Sequence, residues 1–144
     1  MRIRRLLLLF APLALVTVAF TGCQEESVPY CGKLVPAGGY CTSDSTHQGS
    51  AFGLIEGNDV WYTGEPPIKV CAFIDIYSRS SGNFVKRLSN CVGGELGGSA
   101  ERFMSASERQ TYFDPNKYYM VALAYNGSGA AHTLHASAYG YILK

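Results

Sequence analysis

The sequence predicts an all-β domain, a small antiparallel β-sandwich or barrel, stapled by disulfides and preceded by a cleaved N-terminal signal helix. Three observations lead there. Ile68 to Tyr77 alternates between two faces, the period-two mark of a strand with one buried side. Short segments of this kind are separated by Gly, Ser, Asn and Pro clusters, the punctuation of a sandwich or barrel. Four cysteines, Cys31, Cys41, Cys71 and Cys91, follow an export-type amino terminus, the setting in which small domains carry structural disulfides. With 144 residues the chain has enough length for one domain with a core and not for two. Twelve Lys and Arg against 11 Asp and Glu leave a charge of +1, which supplies no attraction for nucleic acid or another polyanion.

The first element is the signal. Arg2, Arg4 and Arg5 precede an apolar run from Leu6 to Phe20, interrupted only by Pro12 and Thr17. This is a charged segment followed by a hydrophobic one, as in an export signal. As a helix the run spans about 22 Å at ~1.5 Å per residue, short of a ~30 Å hydrocarbon core, so cleavage is expected rather than a permanent span. Phe20, Thr21, Gly22 and Cys23, followed by Gln24, Glu25 and Glu26, resemble the lipobox of bacterial lipoprotein precursors. The resemblance covers the first 26 residues alone, and Phe20 stands where that family has Leu, Val or Ile. It implies that the Cys23 thiol receives a diacylglyceryl group, that the chain is cut just before Cys23, and that the new amino group is acylated. Two or more acyl chains anchor stably to a membrane where one holds marginally. The alternative is ordinary cleavage after Ala19, with Thr17 and Ala19 as the small pair, giving a secreted protein.

Thiol parity agrees with lipidation. Five cysteines leave one unpaired in an oxidising compartment, and modification of Cys23 removes the odd one. The other four allow three connectivities; local loop closure favours Cys31 with Cys41 and Cys71 with Cys91, each worth about 3 kcal/mol. Loss of residues 1–22 removes three arginines and no acids, leaving nine bases against 11 acids, a charge of −2. All ten tyrosines, Trp61 and five of seven phenylalanines remain.

The organisation expected is a signal at 1–22, a tether at 23–29 and a single β domain at 30–144. Gln24 to Pro29 is polar and without periodicity, hence the tether. Tyr30 to Cys41, with Gly32, Pro36, Gly38 and Gly39, reads as a stapled loop or short hairpin. In Ile68 to Tyr77 one face carries Ile68, Val70, Ala72, Ile74 and Ile76, and the other Lys69, Cys71, Phe73, Asp75 and Tyr77. Pro66 and Pro67 bar a helix from running in. Ser78 to Asn83 is a turn, and Phe84 to Leu88 the returning strand. The Gly93 to Gly98 stretch is a flexible connection, and Ser99 to Tyr112 a loop with one helical turn. Asp114, Pro115 and Asn116 make a turn. Tyr118 to Tyr125 and His132 to Ile142 flank Asn126, Gly127, Ser128 and Gly129 and read as a second hairpin. Symmetric pairing sets Tyr125 opposite His132, Leu123 opposite Leu134, Val121 opposite Ala136 and Tyr119 opposite Ala138 as the core side, with a mixed aromatic face behind.

Signatures of chemistry are few. His132 and His135 are three apart, so on a strand they point to opposite faces, and the cysteines lack CxxC spacing; no metal or cofactor is expected. No GxSxG elbow is present, and the Gly93 to Gly98 segment lacks the Lys and helix of a phosphate loop. Asn126, Gly127 and Ser128 match a glycosylation acceptor, read here as a turn. The remaining candidate is an aromatic binding face of Trp61, Tyr62, Tyr118, Tyr139 and Tyr141 with His135 beside them, because tyrosine offers a flat apolar ring and a hydroxyl to sugars or proteins; against it stands the ordinary role of tyrosine as a strand former covered by a second layer. The expectation is a non-catalytic, lipid-anchored binding module of the cell envelope, with an envelope protein or a glycan as partner. The alternatives are a structural or assembly lipoprotein and an inhibitor of an exported hydrolase.

Overall fold

The computed structural model describes residues 23–43, 52–64, 68–94 and 99–143. The signal at 1–22 and its cleavage lie outside the described residues, as do residues 95–98 at the centre of the glycine-rich connection. The strands form two four-stranded antiparallel sheets, so the architecture is a sandwich rather than a closed barrel. The first sheet runs β1 (Cys23–Val35), β8 (His132–Leu143), β3 (Phe52–Thr63), β6 (Ala100–Phe103); the second runs β2 (Tyr40–Thr42), β7 (Tyr118–Asn126), β4 (Ile68–Ser78), β5 (Phe84–Gly94). One helix, α1 (Ala106–Tyr112), joins β6 to β7.

β4 follows its alternation. Ile68, Val70, Ala72, Ile74 and Ile76 are all buried between the sheets, as period two requires when one face meets the core. The β4–β5 hairpin is present, and Cys71 and Cys91 are directly opposed in it and bonded. Against this face pack Ile55, Val60, Leu134, Ala136 and Ala138 from the first sheet. Many interior residues are small: Ala72, Ala122, Ala124, Ala136 and Ala138 are fully enclosed. A polar connection crosses between the sheets among them. The Tyr30 hydroxyl donates to Asn58 Oδ1 at 2.8 Å, and Asn58 Nδ2 donates to the Phe73 and Leu123 carbonyls, each at 2.9 Å. Burial drives the Tyr30 pKa well above its ordinary value, so the phenol stays a donor. Every polar atom of the Asn58 side chain is thereby partnered, the condition under which a buried amide is tolerated.

Three expectations need correction. Residues 23–29 are not a tether: they form the first half of β1, with Gln24 opposite Ile142 and Ser27 opposite Tyr139. Their polarity suits an edge strand, and Pro29 sits at a register shift, where its missing N–H costs nothing. Tyr30 to Cys41 is not a hairpin either. β1 lies in the first sheet and β2 in the second, so the Cys31–Cys41 disulfide fastens one sheet to the other. Nor do β7 and β8 pair as a second hairpin. β7 lies between β2 and β4, β8 lies between β1 and β3, and the chain arches from sheet to sheet at 127–131. Tyr125 is opposite Cys71 and Tyr40, and His132 is opposite Val35.

The arch is held by Asn126, which is fully buried. Its Nδ2 donates to the Val35 carbonyl at 3.0 Å and the Ala130 carbonyl at 2.9 Å, and its Oδ1 accepts from the Ser128 amide at 3.0 Å. A reversal signal such as Asn-Gly-Ser-Gly says that the chain turns, not whether it returns beside itself or above itself. The helical segment is longer than one turn because Ser105 and Glu108 close a capping box: Ser105 Oγ accepts from the Glu108 amide, and Glu108 Oε1 accepts from the Ser105 amide.

Candidate binding face

The six aromatic and histidine candidates divide between two environments. Trp61 and His135 are register partners on β3 and β8, and their rings stack at 5.7 Å and 15°. Tyr139 and Tyr141 lie farther along the same outward face of β8, Tyr139 against Phe103 at 5.6 Å and Tyr141 edge-on to Phe113 at 5.5 Å. Trp61, His135, Tyr139 and Tyr141 therefore share the outer side of the first sheet. Tyr62 and Tyr118 do not. Both pack against the core, and Tyr118 meets Tyr112 of α1 at 5.6 Å. Among the described residues no group of three or more His, Cys, Asp or Glu is placed to hold a metal.

The outer side of the second sheet holds a more enclosed site, built on an inversion in β7. Met120, Ala122, Ala124 and Asn126 are buried, whereas Tyr119, Val121 and Tyr125 are half-buried on the outward side with Leu123 among them. The bulkier apolar set points outward, the reverse of the side expected for the core. Half-burial within the set comes from neighbours on adjacent strands. Tyr119 stacks on Tyr77 of β4 at 5.2 Å and 11°, and Phe84 of β5 meets Tyr77 edge-on at 5.8 Å. Tyr125 stacks with Phe73 at 5.7 Å, and the Arg87 guanidinium carbon lies 4.3 Å from the Phe73 ring centre, within cation–π range.

Between these two rows is a slot of about 540 Å³, lined by Gly38, Tyr40, Phe73, Asp75, Tyr77, Arg87, Leu123 and Tyr125. Its floor carries one ion pair. Arg87 Nε and Nη2 donate to Asp75 Oδ1 and Oδ2 at 2.6 and 2.7 Å, the bidentate geometry of the strongest carboxylate contacts. Asp75 is 2% exposed, while the Arg87 side chain is 44% exposed. The Arg87 pKa is raised, first by its hydrogen bonds to Asp75; the Tyr77 and Tyr40 phenols add smaller contributions. Tyr40, opposite Tyr125 on β2, stands at the mouth and is 58% exposed. The site thus offers aromatic walls, a fixed donor–acceptor pair of zero net charge, and a ring at the rim.

A register shift between Ile76 and Tyr77 creates the floor. With Tyr77 opposite Phe84, unbroken pairing sets Asp75 against Lys86; the extra residue in β5 advances the register so that Arg87 is opposite Asp75. Reading residues alone missed this site because a bulge leaves no mark in the period of β4. The signal that was present is Asp75 in the outward row of β4 between Phe73 and Tyr77, a charge set between two aromatic rings. A shallower depression lies between α1 and β8, lined by Ala106, Arg109, Gln110, Phe113 and Tyr141; Arg109 there is paired with Glu56. No protein-family model matches this sequence, and no curated protein matches it.

Proposed function

We propose that the protein is a non-catalytic binding module of the cell envelope, held at a membrane through acylation of Cys23, and that its ligand meets the outer face of the second sheet. The observation that carries the reading is the inversion of β7, in which alanines face the core while tyrosine, valine and leucine face out. A contiguous outward apolar surface around a polar floor is what interaction sites have and ordinary solvated sheets lack. The two disulfides belong to a location outside the reducing cytoplasm. Among the described residues no helix is long and apolar enough to cross a membrane, and the lipobox-like residues at 20–23 supply the means of attachment.

The test separates anchor from face. The wild-type chain incorporates labelled palmitate and sediments with membranes; Cys23→Ser abolishes the labelling. Carried behind an ordinarily cleaved export signal in place of residues 1–22, the Cys23→Ser chain still co-sediments with envelope fractions, and adding Leu123→Lys, which sets a charge in the slot, releases it. Retention of the double variant would remove the face from the account, and palmitate on Cys23→Ser would remove the anchor. A second reading, assembly with an envelope protein, is favoured by the outer edge of β5, where Phe84 and Val85 are exposed beside a strand that, among the described residues, pairs only with β4. Val85→Lys, which sets a charge on that edge and keeps the residue that makes the bulge, would abolish that association and leave binding through the slot intact.

A further inference from the structure

We propose that the slot on the second sheet is a saccharide site, with Tyr40 as the ring on which a sugar stacks and the Asp75–Arg87 pair as the group that reads its hydroxyls. The inference rests on the reading of the domain as a binding module and adds the ligand class. The first argument is charge. Asp75 and Arg87 cancel, so the floor selects neither an anion nor a cation, and the candidate ligands are neutral and polar.

The second is hydrogen-bond inventory. The bidentate contact uses Nε and one N–H of Nη2, leaving further N–H donors on the part-exposed guanidinium, while the enclosed Asp75 carboxylate fixes its orientation. Those donors are held by Phe73 beneath the guanidinium and Tyr125 behind Phe73. Sugar hydroxyls, whose oxygens accept from such donors, are the complement of that arrangement. A purely apolar side chain entering the slot would strip water from the pair without replacing its hydrogen bonds, a cost that works against a hydrophobic peptide. Preorganisation of the pair lowers the cost of capture.

The third is surface. Phe73, Tyr77, Tyr119 and Tyr125 are engaged with one another or with Arg87 and act as walls. Tyr40 is the most exposed aromatic ring lining the slot and can present a face to the C–H side of a pyranose. The slot volume of about 540 Å³ falls within the range that small ligands occupy. On the first sheet, by contrast, Trp61 is stacked with His135, and the ion pair of Arg109 with Glu56, beside Phe113 and Tyr141, lines a shallower depression.

The experiment is an NMR titration of the full chain in detergent with two neutral probes, cellotetraose and chitotetraose. At least one should bind saturably with a Kd of about 1 mM or tighter. Tyr40→Ala and Arg87→Lys should each weaken it by about tenfold or more, and Trp61→Ala should leave it unchanged. Arg87→Lys keeps the charge opposite Asp75, and its melting temperature verifies that the fold survives. No saturable shift with either probe overturns the saccharide assignment, as does binding that survives Tyr40→Ala and fails in Trp61→Ala. If neither sugar binds but envelope retention still depends on Leu123, the ligand class is wrong and the module reading stands; if retention is also independent of Leu123, both fall.

Discussion

Asn126 illustrates how one side chain decides a connection. Its amide satisfies carbonyls at the end of β1 and in the arch while its carbonyl oxygen receives the Ser128 amide. Asn126→Ala deletes three hydrogen bonds of a fully buried side chain and leaves the Val35 carbonyl without that partner, which should cost about 3 kcal/mol in urea denaturation. The same burial removes the side chain from any glycosylating enzyme once folded, so the Asn-Gly-Ser match is structural. Asp59 works in the opposite direction. It lies directly across from Glu101, and among the described residues its Oδ1 has no hydrogen-bond partner. Its pKa is raised, by burial first and by the Glu101 charge second. A carboxyl whose folded pKa is raised binds its proton more tightly in the native state, so ionised Asp59 subtracts stability at neutral pH and the deficit fades as pH falls through the raised value. Asp59→Asn should therefore raise stability at pH 7 by about 0.5 kcal/mol, with the advantage gone near pH 3; an equal gain at both pH values would contradict the electrostatic explanation. Neither Asn126 nor Asp59 was assignable from residue type, because a lone polar residue on a strand reads the same whether it is solvated or enclosed.

At the scale of elements, β4 was legible in extent and facing and β7 in extent alone, and the difference is physical. The isoleucines of β4 are both its most hydrophobic and its core-facing residues, so pattern and burial coincide. In β7 the more hydrophobic set faces outward, and the core takes alanines where the Tyr30 and Asn58 side chains fill the space between the sheets. Close approach also governs Gly140, where a Cβ would collide with the Leu54 carbonyl oxygen and the Ile55 Cα. That obstruction is backbone and cannot rotate away, so Gly140→Ala should destabilise by about 2 kcal/mol. At Gly57 the obstruction is the Phe103 ring, which is exposed and can swing aside, so Gly57→Ala should cost markedly less. β1 provides a sharper discrimination. A tether tolerates deletion, whereas a strand paired from Cys23 to Val35 does not. Removing residues 24–29 while retaining Cys23 should lower the melting temperature by several degrees, about 2 kcal/mol for a domain of this size; an unchanged melting temperature would restore the tether.

For the molecule as a whole, the two disulfides divide the work. Cys71–Cys91 lies within one sheet, between opposed residues of a hairpin that is already closed by its turn. Cys31–Cys41 joins two sheets, which are otherwise connected by side-chain contacts such as those of Asn58 and by the chain crossings themselves. Replacing Cys31 and Cys41 together by serine should cost about 3 kcal/mol, with hydrogen exchange quickening at both sheets' facing strands, while loss of Cys71–Cys91 should loosen β5 first. Sequence reasoning reached the pairing because local closure favoured it, and missed the inter-sheet role because loop length is silent about layers. The outer slot escaped for a related reason: Asp75 and Arg87 meet through a bulge, and Tyr40 joins them from a strand of three residues too short to carry a period.

Whether the outer face of the second sheet is where this domain meets its ligand can be read by photo-crosslinking in intact cells. A benzophenone side chain is installed at position 40 in one strain and at position 61 in another. Position 40 should give discrete, reproducible adducts with an envelope component, suppressed by Leu123→Lys, and position 61 none. Adducts from position 61 alone, or from position 40 without dependence on Leu123, would contradict that assignment.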